Sequence, residues 1–421
     1  MANVHLPKGM RDLLPPDMRR RLHVIDTVRR VFTSFGFEPL ETPAMERIET
    51  LMGKYGDEGD KLIFRVLKRG EGGKRGEVDQ AMRYDLTVPL ARVIAMNPAL
   101  PLPFRRYQVE PVWRADRPQK GRFRQFLQCD VDIVGTESEL AEAECLAVVD
   151  AALSALGFTD HVIRLNDRRI LRGMAAAVDA ADREVAMITA IDKLDKIGRD
   201  GVARELEGRG FEAAQVERVF ELLDGASVPG CEDAVAGLER IEALCLALGV
   251  PEGRVQVDPT LARGLDYYTG PVFETRIPDS GVGSVSGGGR YDGLIGMFSG
   301  RDIPAVGVSL GLARILLIME ERGMFPDLDR SIDVFVTVFD AERAPAALEA
   351  ARAFRAAGQR VEVSYKPGKL GKQFKLAHKR GARFVVVVGP DEAAEGAVQL
   401  KDMASGEQST VPLAEAVARV G

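Results

Sequence analysis

The stretch Phe104–Gly135, FRRYQVEPVWRADRPQKGRFRQFLQCDVDIVG, collects side chains able to hold a molecule that carries both phosphate and ammonium. Its flanks interleave aromatic and β-branched residues with polar ones. The middle, Arg117 to Arg122, contains Pro118 and Gly121 and is longer than a tight turn, which predicts an antiparallel hairpin. Side chains alternate across a strand. Leu127, Cys129, Val131 and Ile133 therefore share one face, and Arg124, Phe126, Gln128, Asp130 and Asp132 the other. On the incoming strand Gln108, Glu110, Val112 and Arg114 lie opposite Tyr107, Val109, Pro111 and Trp113, and the loop adds Arg117, Lys120 and Arg122. A guanidinium fork suits phosphate oxygens, and carboxylates suit ammonium or imidazole. An exposed hairpin with solvated charges gives the same periodicity, so the pattern alone leaves both readings open.

Other elements must position this hairpin. Pro16 to Phe35 predicts an amphipathic helix, with Leu22, Ile25, Val28, Val31, Phe32 and Phe35 at helical spacing. GFEPLETPAME follows, an extended piece whose prolines suit a sheet edge or an interface. Core packing and packing on a second subunit both account for this pair. Residues 56–82, rich in Gly and charge, predict a hairpin with a mobile tip. MRYDLTVPLARVIAM then turns from strand into helix, with Asp85 and Thr87 at the junction and Pro89 in the first turn. Helix capping is the simplest role for Asp85 or Thr87.

A helix is expected over Glu137 to Leu156, opened by Thr136 or Ser138, and then a strand at HVIRLNDRR. From about Asn166 to Gly253 only helical patterns occur, as in an inserted module. The β pattern returns in VQVDPTLARGLDYYTGPVFETRI. GVGSVSGGGRYDGL reads as a Gly-rich turn, its glycines allowing close backbone approach or positive φ, and its spacing fits no nucleotide fingerprint. A helix is expected from near Leu310. Beyond Pro326 strands and helices alternate, which predicts a small α/β domain with a largely parallel sheet. There, Lys366 to Arg383 holds seven basic residues and no acidic one, and Lys372, Lys375 and Lys379 share a helix face opposite Leu370, Phe374 and Ala377. A solvated face and a contact to a phosphate backbone both fit.

At 421 residues the chain has room for roughly two to four domains. A net charge of -6 excludes a protein that is basic throughout, so any nucleic-acid contact must be local. Four scattered cysteines, none in a CxxC pair, and four isolated histidines suggest neither a zinc site nor a disulfide framework, and no metal site is expected. The N-terminus has no apolar signal core and no stretch reaches the length of a membrane span, so a cytoplasmic protein is expected.

Together these segments resemble the class II aminoacyl-tRNA synthetases, and the histidyl-tRNA synthetase family in particular, over nearly the whole chain. The N-terminal helix with GFEPLETPAME resembles motif 1, which in that class builds a dimer interface. WRADRPQKGRFRQF resembles motif 2, and GVSLGLARI resembles motif 3 with Arg314. LARGLDYYTGPVFE and SGGGRYDGL resemble the two motifs that set the histidyl enzymes apart, and DKLDKIGRDGV resembles part of their helical insertion. The resemblance implies an α+β catalytic domain, an antiparallel sheet flanked by helices, over 1–165 and 254–325. It further implies a helical insertion over 166–253 and an anticodon-binding α/β domain over 330–421.

By position, Arg114 is expected on the α-phosphate of ATP, Phe126 on the adenine, and Arg314 and Asp116 on the nucleotide. Arg263 is expected to stabilise charge at the α-phosphate, so that it and Arg114 are the catalytic pair. Asp85, Thr87 and Gln128 would fix the α-amino group of histidine, Asp132 and Tyr268 would face the imidazole, and Tyr267 and Tyr291 would line the pocket. Lys372, Lys375 and Lys379 would approach tRNA. The implied substrates are histidine, ATP with Mg2+, and tRNA(His), and the implied assembly is a homodimer. Asp85, Asp116 and Asp132 stand where many bacterial members carry glutamate, whereas RPQKGR is bacterial in wording. The alternative function is a non-catalytic, synthetase-like subunit that senses histidine.

Overall fold

In the computed structural model, which describes residues 4–262, 267–325, 328 and 331–421, the strands Phe104–Trp113 and Gln125–Val134 form the predicted antiparallel hairpin. Its register sets Arg106 opposite Asp132, Gln108 opposite Asp130 and Glu110 opposite Gln128. The hairpin belongs to an eight-stranded sheet, in the order Glu38–Pro39, Phe104–Trp113, Gln125–Val134, Ala305–Gly311, Ser286–Arg290, Pro271–Arg276, Val162–Asp167, Val255–Val257. Both outermost pairings are parallel and those between are antiparallel. Pro39 sits in the edge strand, where a missing N–H interrupts no ladder.

The outgoing hairpin strand is buried on both faces. Cys129, Val131 and Ile133 enter the core as predicted, and the polar face is covered as well. Val88, Leu90, Ala91 and Ile94 of the helix Thr87–Met96 pack there with Leu51, Tyr55, Tyr267 and Tyr291. That second cluster decides between the two readings for the strand face, because Asp130 and Asp132 are enclosed, whereas the loop cations Arg117, Lys120 and Arg122 stay exposed.

The described residues divide into two compact units, Met1–Asp12 with Arg21–Arg322, and Leu13–Arg20 with Gly323–Gly421. In the first unit, residues 168–247 contribute helices and no strand, as their composition predicts. The second unit holds a five-stranded sheet, in the order Val361–Val363, Val334–Val336, Phe384–Val387, Ala397–Asp402, Gln408–Pro412. Its first three strands are parallel, but the last two join antiparallel, so the sheet is less parallel than expected.

Other local expectations change. The helix Pro15–Ser34 buries Val24, Ile25, Val28 and Phe32 and leaves Leu22 exposed, a rotation of its apolar stripe. Residues 56–82 form the antiparallel pair Arg65–Leu67 and Val78–Met82, with the short helix Gly70–Lys74 at the tip. The helix expected from Glu137 starts at Leu140, and the one expected near Leu310 starts at Leu312, after a strand that uses the intervening residues. SGGGR is a strand, not a turn, and none of its glycines has positive φ. A Cβ on Gly288 would lie 2.3 Å from the Gly307 carbonyl oxygen and 2.5 Å from the Phe273 ring, so close strand approach is what requires glycine there.

Candidate active site

Over the polar face of the hairpin lies a cavity of about 280 Å³, and its lining includes Asp85, Thr87, Arg114, Phe126, Gln128 and Asp132. Tyr267, Tyr268, Tyr291 and Arg314 line it too. Chain segments far apart in sequence thus supply one concavity, which the antiparallel register makes possible.

At one end stand the carboxylates. Asp85 accepts hydrogen bonds from the Tyr55 hydroxyl at 2.9 Å, the Tyr267 hydroxyl at 3.2 Å and the Val88 N–H at 3.1 Å. It is therefore both a ligand of the first turn of its helix and a component of the cavity wall. Burial raises its carboxyl above the ordinary range, against those hydrogen bonds and Arg114. Asp132 accepts a hydrogen bond from the Tyr291 hydroxyl and pairs with Arg106 Nη2 at 2.7 Å. The ion pair is not aligned as a hydrogen bond, and Asp132 Oδ2 has no hydrogen-bond donor. Gln128 gives its amide to Ser309 Oγ at 2.9 Å, while its buried Oε1 has no partner. Tyr267 meets Tyr268 and Tyr291 edge-on, with ring centroids 5.0 and 5.9 Å apart. Burial pushes the hydroxyls of Tyr267, Tyr268 and Tyr291 above the usual tyrosine range, so all three remain neutral donors at physiological pH.

At the other end are the guanidiniums. Arg114 Nε donates to the Tyr84 carbonyl at 3.0 Å, and its guanidinium lies 4.3 Å from the Tyr84 ring centroid and 5.2 Å from that of Phe126. Stacking and the carbonyl hold the cation while leaving its remaining N–H groups for a ligand. Arg314 donates from Nη1 to the Ser284 carbonyl.

Not every expected residue joins the cavity. Asp116 is buried, pairs with Arg122 at 2.6 Å, and does not belong to the lining. Arg263 lies outside the described residues. The segment before it is held by Arg164, paired with Asp258 and bonded to Thr260 Oγ1 at 2.9 Å, and by Asn166, which donates to the carbonyls of Pro259 and Leu261. Lys372, Lys375 and Lys379 are exposed on the helix Leu370–Lys379 in the second unit, with no ion pair among the described residues. Across that helix Gln373 and Ala377 are buried, and Phe374 and Leu370 pack on the sheet cluster. Among the described residues no three His, Cys, Asp or Glu side chains converge on a metal position.

Sequence reasoning missed Arg106, although it precedes Gln108 by two residues and so shares its face. It also gave Asp130 a place but no role; both are buried beside Asp132.

A large, mainly antiparallel sheet with helices around it, carrying a cavity with arginines at one end and carboxylates at the other, is the catalytic fold of the class II aminoacyl-tRNA synthetases. The family model "Histidyl-tRNA synthetase" matches residues 9–315, and the model "Anticodon binding domain" matches residues 333–421. The chain belongs to the histidyl-tRNA synthetase family. It is 44% identical to the histidine–tRNA ligase of Gloeobacter violaceus, over 97% of this chain and 96% of that one. It is 43% identical to the histidine–tRNA ligase of Aeropyrum pernix, over 98% and 97% respectively. The crystal structure of histidyl-tRNA synthetase from Nostoc sp. PCC 7120 superposes with a TM-score of 0.85 at 35% identity, covering 100% of both chains.

Proposed function

We propose that this chain ligates histidine to tRNA(His) in two steps. The histidine carboxylate attacks the α-phosphorus of ATP, displacing pyrophosphate and forming histidyl-adenylate. A hydroxyl of the terminal tRNA ribose then attacks the acyl carbon and releases AMP. The observation that carries this reading is the two-ended cavity, whose cations lie where a phosphate can be met and whose carboxylates lie where ammonium and imidazole can be met.

In this reading Arg114 and Arg263 stabilise the negative charge that builds on the α-phosphate, and Arg314 holds the nucleotide. Phe126 stacks on adenine, and Asp116 acts on the nucleotide through Arg122, to which it is paired. Asp85, Thr87 and the free Oε1 of Gln128 bind the ammonium group. Asp132 and Tyr268 face the imidazole, with Tyr267 and Tyr291 holding Asp85 and Asp132 in place. Magnesium belongs to the reading as the counter-ion carried by ATP. Lys372, Lys375 and Lys379 lie along tRNA phosphates. The chain divides into a catalytic domain over 1–165 and 254–325, an insertion over 166–253 and an anticodon-binding domain over 330–421. The active form is a cytoplasmic homodimer, and no described helix is long and apolar enough to cross a membrane.

The test is ATP–pyrophosphate exchange with each standard amino acid in turn, without tRNA. Exchange with histidine alone supports the reading. Folded protein that exchanges with none supports instead a histidine-sensing subunit, a reading disfavoured by the family match through both catalytic and anticodon-binding regions.

A further inference from the structure

The buried carboxylates of the cavity outnumber the cations set among them. Asp85, Asp130 and Asp132 are all buried; Arg106, itself fully buried, is the guanidinium beside Asp130 and Asp132, and Arg114 acts on Asp85. Arg106 is committed, with Nη2 2.7 Å from Asp132 Oδ2 and 3.2 Å from the Leu86 carbonyl. Asp130 has no ion pair among the described residues. Its partners are neutral, the Ser309 hydroxyl and, at 3.5 Å, the Gln128 amide.

The groups that face Asp130 come from every element packed on it. They are Asp132 on its own strand, Arg106 across the hairpin, Ser309 on the next strand, Asp85 before the helix Thr87–Met96, and Tyr268 across the cavity, while Cys129, next in sequence, belongs to the opposite face. Burial, opposed by Arg106 and reinforced by Asp132, pushes the Asp130 carboxyl up to about 7. The neighbouring Cys129 thiol is raised far out of the physiological range by burial, so it plays no role.

A bound histidine would add one ammonium cation and a ring that titrates at about 6.5. Against Asp85, Asp130, Asp132 and the carboxylate of histidine itself stand Arg106, Arg114 and the ammonium, so one negative charge is left for one proton. We propose that Asp130 is a specificity-determining residue that shares a single proton with the bound imidazole. The pocket is then neutral in either arrangement, as a carboxylic acid beside a neutral ring or as a carboxylate beside an imidazolium. The ring of the substrate, which can take the proton or leave it, is what the third carboxylate selects. This inference rests on the histidine-activating reading above.

Isothermal titration of the full-length protein with histidine at about pH 8, in two buffers of different ionisation enthalpy, counts the protons exchanged. At that pH both the empty pocket and the free ring have largely lost the proton, so binding is expected to take up about one proton, and affinity is expected to fall up to tenfold per pH unit above neutrality. Asp130→Asn and Asp130→Ser are each expected to bind histidine with almost no uptake and with affinity independent of pH over this range. Histidine binding without proton uptake in the unaltered protein overturns the proposal. So does uptake that persists in both variants, because the proton then resides elsewhere. Absence of any histidine binding is a different failure, which overturns the functional reading and this inference with it.

Discussion

Asp130→Asn is expected to stabilise the ligand-free protein at alkaline pH relative to its stability in acid. The carboxyl moves from an ordinary 3.8 to about 7 on folding, because burial strips its hydration and Asp132 stands beside it. At about 1.4 kcal/mol per tenfold, that difference amounts to about 4 kcal/mol. The folded value is the higher one, so the contribution is complete below about pH 4 and is lost as pH rises through about 7. Between about pH 5 and pH 8 the lost portion is about 3 kcal/mol. Asparagine imitates the protonated acid in shape and charge and has no such dependence.

Trp113 is the single tryptophan, and it lies in the hairpin strand with its indole N–H 3.2 Å from Gln125 Oε1. Its fluorescence therefore follows unfolding of the sheet that carries Asp130. Urea denaturation of both proteins at several pH values should give a stability difference that shifts in favour of the variant by about 3 kcal/mol from about pH 5 to pH 8. Titrations remote from Asp130 are common to the pair and cancel, so the series reads Asp130 together with Asp132, which stands beside it. Two stability curves that stay parallel across this range would refute the reasoning, since Asp130 would then be solvated or paired in a way the geometry does not contain. The stabilised variant should also be the one that binds histidine without its proton, the usual opposition between stability and a strained site.

Arg106→Met should be destabilising by about 3–5 kcal/mol near pH 8, because it leaves Asp132 buried without its cation. The loss should shrink as pH falls, because Asp132, raised by burial, takes up a proton more readily once Arg106 is gone, and the same Trp113 denaturation series reads the trend. Changing Lys372, Lys375 and Lys379 together to Gln should lower the slope of log affinity for tRNA against log salt by about 2, at about 0.7 per phosphate contact. Histidine-dependent pyrophosphate exchange should be unaffected, and an unchanged salt slope returns these lysines to a solvated face.

The hairpin was legible because strand periodicity is strict, and Gln128, Asp130 and Asp132 fall on one face whatever surrounds them. Whether that face was wet or covered was not legible, since the covering cluster of Leu51, Tyr55, Val88 and Tyr291 comes from three separate segments. Arg106 escaped notice because a strand residue declares its face but not its partner, and Asp132 lies on another strand. SGGGR was misread for a physical reason. Glycine marks turns through backbone freedom, yet here Gly288 and Gly289 are needed in a strand for the room a Cβ would take from Phe273 and Tyr268. The stripe of the first helix was off by a small rotation, Val24 in place of Leu22, which helical spacing alone does not resolve.

The two ends of the cavity are also prepared differently. Two carboxylates of the cavity wall are each tied by a tyrosine distant in sequence, Asp85 by Tyr267 and Asp132 by Tyr291. Burial keeps these hydroxyls protonated, so the bonds persist through the pH range in which the carboxylates themselves titrate. Orientation is thereby separated from charge. Protons can redistribute among Asp85, Asp130 and Asp132 as a cationic ligand enters, while the tyrosines keep the oxygens of Asp85 and Asp132 where they are. The arginine end needs no such arrangement, because a guanidinium does not titrate and Arg114 is held by a carbonyl and two rings. Under the proposed roles, a site divided in this way places its adjustable charges against the amino acid and its fixed charges against the phosphate. Selectivity for the amino acid then depends on protonation, and the electrostatic stabilisation of the reacting phosphate does not.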